Sequence, residues 1–291
     1  MPKVLHSLRK ETYGEGHERT HIFHGIGLSA FFVFSGFVIW TLPIFLSGSI
    51  QIAYLASVPI IFLFSSIAVR NTDHAKKYFQ ILFAFFIASF ANSISYNFGG
   101  GATIDGKVVN VVISASLIVL SILILNKLAG NDLGSIYIRK GRVVIGLIIG
   151  CVIFLSFLLT SVLAGTYLFG GQDLSFGRLI AWAPFIFTFV FVNALREELW
   201  FRGLFLKKYE SLIGVNPAIL VQAVVFSFAH VSTQFSLFAI FYMLVTFFLG
   251  LGFGVVMQKN EQHFGICIVS CWIGHTSNSC RVLSCLGLSY W

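Results

Sequence analysis

The chain alternates long apolar runs with short polar breaks. Nine runs carry the pattern, at roughly 25–46, 50–69, 79–98, 108–125, 143–165, 179–206, 216–231, 235–257 and 264–286. Most approach the ~20 residues that an α-helix needs to cross a hydrocarbon core about 30 Å thick. The clearest breaks fall at Arg70 to Tyr78, Gly99 to Lys107, Asn126 to Arg142 and Gly170 to Arg178. None leaves room for a soluble domain, and the runs show no internal repeat. The pattern predicts an all-α, polytopic transmembrane helix bundle with about 8–9 membrane-spanning helices.

Charge then orients the bundle. With the N-terminus inside, 14 of the 19 lysines and arginines fall in inner segments, 3 in outer segments and 2, Arg196 and Arg202, within a span. This asymmetry is the positive-inside signature. It predicts a multi-pass integral protein of the cell membrane with a cytoplasmic N-terminus. The polar stretch of residues 1–24 reads as a cytoplasmic segment and not as a cleavable signal. Residues 25–170 read as N-terminal transmembrane helices, and 171–291 as the region that carries chemistry.

Composition agrees. The chain is 57% hydrophobic and 10% charged, against the ~25% charged residues of a soluble domain. The net charge of +8 is accounted for by the inner loops, so nucleic acid is not an expected partner; the lipid bilayer is. The five cysteines, an odd number, do not suit a complete disulfide framework. His263, Cys267, Cys271 and His275 recur every four residues. That is the spacing of one helix face; a metal site is one reading of it, and small thiols packed between helices are the favoured one.

The chemistry-bearing feature is Glu197-Glu198-Leu199-Trp200-Phe201-Arg202, two of only 11 acidic residues placed inside an apolar run. A charge at the bilayer centre costs roughly 2.5 kcal/mol or more, so such residues mark function. Neighbours on a helix point in different directions, so the two carboxylates do different work. Glu198 and Arg202, at i,i+4, can pair on one face and offset each other's desolvation. Glu197 has Asn193 at i−4 and Phe201 at i+4, hence no built-in cation, and is the carboxylate free for general acid–base work. Two further polar insertions follow. They are His230, in Phe226-Ser227-Phe228-Ala229-His230, and His275, in Ile273-Gly274-His275-Thr276-Ser277-Asn278. A Glu and two His suit two chemistries. They can hold zinc with an open position for water, through Glu197, His230 and His275. They can also act without metal, the carboxylate activating water and other donors holding the oxyanion.

One constraint follows from the span limits. Glu197 lies about 27 Å along its helix from the outer face, and His230 about 21 Å from the inner end of the next. Straight spans would hold them at different depths. A shared site therefore requires a break in the 197–216 region, for which Gly203, Gly214 and the Asn216-Pro217 step are suited.

The ordered set Glu-Glu-x-x-x-Arg, Phe-x-x-x-His, then His with a nearby Asn resembles the CAAX prenyl endopeptidase and bacteriocin-processing family of intramembrane proteases. The likeness covers about residues 180–280. The glycine-bearing run Phe247 to Gly254 resembles the family's glycine helix, and Gly250 and Gly254 form a small-x-x-x-small face. The resemblance implies that Glu197 and His230 activate water, that Glu198 and Arg202 are structural, and that His275 and a following polar residue stabilise the oxyanion. The family commonly places that residue four after the histidine. Here Ser279 holds the position, and Asn278, at three, is the expected substitute. The implied reaction is endopeptidase cleavage of a membrane-associated peptide or protein. Candidates are a leader peptide, a pheromone or bacteriocin precursor, or a prenylated C-terminus. A non-catalytic bacteriocin self-immunity protein and an ion-coupled transporter are the alternative readings.

Overall fold

The computed structural model describes residues 23–96, 104–136, 176–231 and 237–260. Among these the backbone is helical with no strand. Helix α1 is Phe23–Phe45, α2 Gly48–Arg70, α3 Phe79–Ser95 and α4 Ile104–Leu128. The second half contains α5 (Phe176–Glu197), a π-helical stretch over Glu198–Leu206, α6 (Lys207–Ile213), α7 (Val215–Phe228) and α8 (Leu237–Asn260). Among the described residues, five apolar stretches are long enough to cross a membrane: Phe23–Phe45, Gly48–Arg70, Lys76–Ser95, Asp105–Leu128 and Ile240–Gln258. They coincide with five expected runs, and the protein is an integral membrane protein. The expected spans 143–165 and 264–286 lie outside the described residues.

Two expectations change. The 216–231 run forms only the 14-residue α7, about 21 Å long at 1.5 Å per residue and too short to cross alone. The 179–206 run does not end at its lysines. Helical backbone continues from Phe176 through Lys207 and Lys208 to Ile213. Lys208 is buried, and the Lys207 ammonium donates to the Gly134 carbonyl at 3.3 Å. The stop comes at Gly214, whose φ of 84° is left-handed backbone that glycine adopts without steric cost. Pro217 follows in the first turn of α7, where its missing N–H breaks no helical bond.

This turn accounts for the depth constraint. Glu197 lies 17 residues before Gly214 and His230 lies 16 after it. The two arms of the hairpin therefore return both residues to one level, about 24 Å from the turn. The straight-span depths of about 27 and 21 Å are corrected, because the shared turn sets the level and the ends of the apolar runs do not.

Aromatic packing joins the halves. Tyr209 stacks on Phe32 at 4.6 Å between centroids, and Trp40 packs on Phe201 at 4.9 Å and on Trp200 and Phe205 at 5.6 Å. Gly36 faces Val225, and a Cβ there would fall 2.6 Å from its Cγ2. Gly250 and Gly254 of α8 seat on Ala223 and Ile219 of α7, so the expected small-residue face is in use. Outward-pointing apolar residues such as Ile52, Phe64 and Phe248 stay more than 60% exposed, as lipid-facing side chains would.

Candidate active site

Glu197 closes α5 and Glu198 opens the π-helical stretch. Short π-helical insertions recur at functional sites, and this one carries Glu198 and Arg202, directly after Glu197. Glu198 and Arg202 are both fully buried and form the expected i,i+4 ion pair through Glu198 Oε1 and Arg202 Nη1. The Arg202 guanidinium also lies over the rings of Phe226, at 4.7 Å, and Phe253, at 4.9 Å. The pair thus ties the motif stretch to α7 and α8. The pair is wholly enclosed, and Glu197 is the motif carboxylate that lies outside it.

Glu197 is 5% exposed. Its Oε1 accepts a hydrogen bond from Asn193 Nδ2 at 2.6 Å, one helical turn back. The Arg196 guanidinium donates to Asn193 Oδ1, which orients the amide so that its N–H groups face the acid. Arg196 Nη2 itself lies 3.9 Å from Glu197 Oε1. The expectation that Glu197 has no built-in cation is therefore corrected. Spacing along one helix face could not find Arg196, because it is the adjacent residue and reaches round through Asn193.

His230 follows the last turn of α7. Its Nδ1 lies 2.7 Å from the Phe226 carbonyl. A carbonyl only accepts, so Nδ1 carries the proton. In the neutral ring Nε2 then has its lone pair free, and that atom lies 3.6 Å from Glu197 Oε1. Two acceptors facing each other at a distance too long for a good direct hydrogen bond suit a water that donates one O–H to each. His230 is fixed from behind by Phe226, at 4.5 Å between centroids, and Tyr242, at 5.9 Å.

The structure thus brings together Glu197, Glu198, Arg202 and His230 from the expected set. His275, Asn278 and the cysteine-rich tail lie outside the described residues. Among the described residues no group of three or more His, Cys, Asp or Glu could hold a metal. Glu197 and His230 would be two of the three protein donors that a catalytic zinc takes.

Contacts that carry no motif complete the site. Thr41 Oγ1 donates to the Phe228 carbonyl at 2.9 Å, and Phe37 meets the Phe228 ring edge-on at 6.1 Å. Ser227 Oγ donates to the Met243 carbonyl at 2.8 Å. Helix α1 is therefore a wall of the site, which the apolar N-terminal half did not disclose.

Residues 179–280 match the family model described as Type II CAAX prenyl endopeptidase Rce1-like. No curated protein and no solved structure shows a significant match to the chain.

Proposed function

We propose that this chain, whose residues 179–280 belong to the Rce1-like type II CAAX prenyl endopeptidase family, is an intramembrane endopeptidase. It hydrolyses a peptide bond of a membrane-associated peptide or protein with water activated by Glu197 and His230. The observation that carries the reading is the buried Glu197 carboxylate facing His230 Nε2 at 3.6 Å, with Asn193 fixing one partner and the Phe226 carbonyl the other.

In this reading a water sits between Oε1 and Nε2. Glu197 takes one proton as the water oxygen attacks the scissile carbonyl carbon. His230 accepts a hydrogen bond from the second O–H and aims the oxygen's lone pair. The carbonyl π electrons move onto oxygen, and the tetrahedral intermediate collapses with cleavage of the C–N bond. Glu197 returns its proton to the departing amine. His275 and Asn278 are the proposed donors to the oxyanion. A zinc held by Glu197, His230 and His275 would supply acidity to the same water.

Glu197→Gln keeps the shape and the Asn193 neighbour but removes the base. Peptides released from membranes with wild-type and Glu197→Gln chains at equal abundance test the proposal. Peptides present only with the wild type support it and identify the substrate. Identical patterns with the substrate-bearing membranes present overturn it.

A further inference from the structure

The geometry points to a binding groove between α2 and α3 for one hydrocarbon chain of a membrane phospholipid, apart from the Glu197–His230 site. This goes beyond the peptidase reading and does not depend on it.

The groove holds about 720 Å³. Its α2 wall runs from Gln51 through Leu55 and Pro59 to Leu63, and its α3 wall from Tyr96 back to Phe86. Both helices are long and apolar enough to cross a membrane. Pro59 sits inside α2. It has no N–H, so the Leu55 carbonyl, one turn earlier, loses its helical donor. Ser93 of α3 replaces it, its hydroxyl donating to that carbonyl at 2.6 Å. Side-chain hydroxyls satisfy proline-interrupted helices in membranes in this way. The backbone opened by Pro59 therefore makes no demand for water, and the floor of the groove suits hydrocarbon.

The two ends differ. At one, Gln51 Nε2 donates to the Pro43 carbonyl at 2.8 Å and to the Tyr96 hydroxyl. Gln51 lies three residues from the start of α2, and tyrosine collects at the membrane–water boundary. At the other end Leu63 faces Phe86 across an apolar floor. From Gln51 to Leu63 is a rise of about 18 Å, a little more than half of a hydrocarbon core ~30 Å thick. The groove thus begins polar at one interface and ends apolar near the midplane, the path of one acyl chain below its headgroup. None of its lining residues is charged, so the headgroup end offers hydrogen bonds alone.

Size selects the occupant. A volume of about 720 Å³ spread over ~18 Å gives a cross-section of about 40 Å². A helix with its side chains is ~10–12 Å across, at least twice that section, so a helix of a second copy does not enter. A single extended hydrocarbon chain does. The rim opens towards lipid, with Ile52 and Ile60 more than half exposed. Tyr54 donates to the Val38 carbonyl at 2.7 Å and Asn92 to the Ile39 carbonyl at 2.9 Å, so both walls are fastened to α1. No residue that lines the groove belongs to the Glu197–His230 site, and the occupant is a resident lipid and not the substrate.

The test reconstitutes the full chain in phosphatidylcholine vesicles with a trace of phosphatidylcholine that carries a diazirine on one acyl chain. After illumination, adducts are mapped by peptide mass spectrometry. They should concentrate between Ile52 and Leu63 and between Phe86 and Ser93, relative to the well-exposed Phe64 and Phe248. Ala56→Trp fills the groove and should lower these adducts about tenfold. Ala53→Trp, at an exposed α2 position outside the lining, should leave them unchanged. Uniform labelling of all lipid-facing positions, or groove labelling unchanged in Ala56→Trp, overturns the proposal. So does a groove protected from label while Phe64 and Phe248 react, because protein then covers it. Should Ala56→Trp fail to accumulate, Ile60→Trp serves in its place. Cleavage is not read here, so loss of the peptidase reading is seen separately, in the Glu197→Gln comparison.

Discussion

Arg202→Ala should unfold the protein before it affects chemistry. The guanidinium is fully buried, paired with Glu198 and stacked between Phe226 and Phe253. Its Nε and Nη2 have no hydrogen-bond partner among the described residues, so the ring faces are a large part of its solvation. Removing one member of a buried pair costs about 3–5 kcal/mol, and a desolvated cation–π contact is worth ~2 kcal/mol. These terms overlap, and a loss of about 5 kcal/mol is expected. That is comparable to the whole stability of many domains, ~5–15 kcal/mol. At ~2–4 °C per kcal/mol, the melting temperature should drop by about 10–20 °C. Arg202→Lys keeps the charge but not the planar group between the rings, and should lose roughly half as much. Thermal unfolding in detergent, with membrane abundance measured alongside, reads both. A normal melting curve with lost cleavage would refute the strut assignment and place Arg202 in the chemistry.

Asn193→Leu removes the donor that orients Glu197. A hydrogen bond to a charged group is worth ~1.5–3 kcal/mol, so kcat should fall about 10- to 100-fold with KM little changed; an unchanged kcat would exclude the role. Gly250→Ala places a Cβ 2.9 Å from the Ala223 Cα, backbone that cannot swing aside, and should cost about 1–3 kcal/mol in thermal unfolding. Gly252→Ala, with nothing within 4 Å of the added Cβ, is the matched control and should unfold like the wild type. Gly36→Ala should destabilise through Val225, and Val225→Ala in the same chain should recover most of the loss. Absence of rescue would show that the two do not touch.

What was legible in the sequence is what charge and backbone chemistry restrict tightly. A buried Glu198 needs a cation within reach on its own helix, and i,i+4 supplies one, so the pairing with Arg202 could be read directly. Gly250 and Gly254 were legible because close helix contact excludes a Cβ. The meeting of Glu197 and His230 was legible as a requirement, but its geometry was not. Hydropathy falls off at Lys207 and Lys208, whereas helical hydrogen bonding continues through them to Gly214. A burial signal therefore misplaced the end of the helix, and with it both depths. Arg196 escaped notice because its effect on Glu197 runs through the amide of Asn193, a relay that no spacing rule encodes.

The contribution of α1 escaped for a different reason. Apolar packing positions tolerate exchange among side chains of similar volume, so a wall of Phe37, Trp40 and Gly36 leaves no motif. The charged positions have no such substitutes, because each must meet its partner or remain costly in the membrane. The segment that matches the family model, 179–280, therefore records the groups that handle charge. It begins after the helix that covers them. Yet Thr41 holds the backbone two residues before His230, and Trp40 covers the stretch that follows Glu197. The level at which Glu197 and His230 meet is thus fixed partly by a helix more than 130 residues earlier in the chain. Side-chain volume along α1, at positions where hydrophobicity alone is uninformative, is what keeps the pair in register.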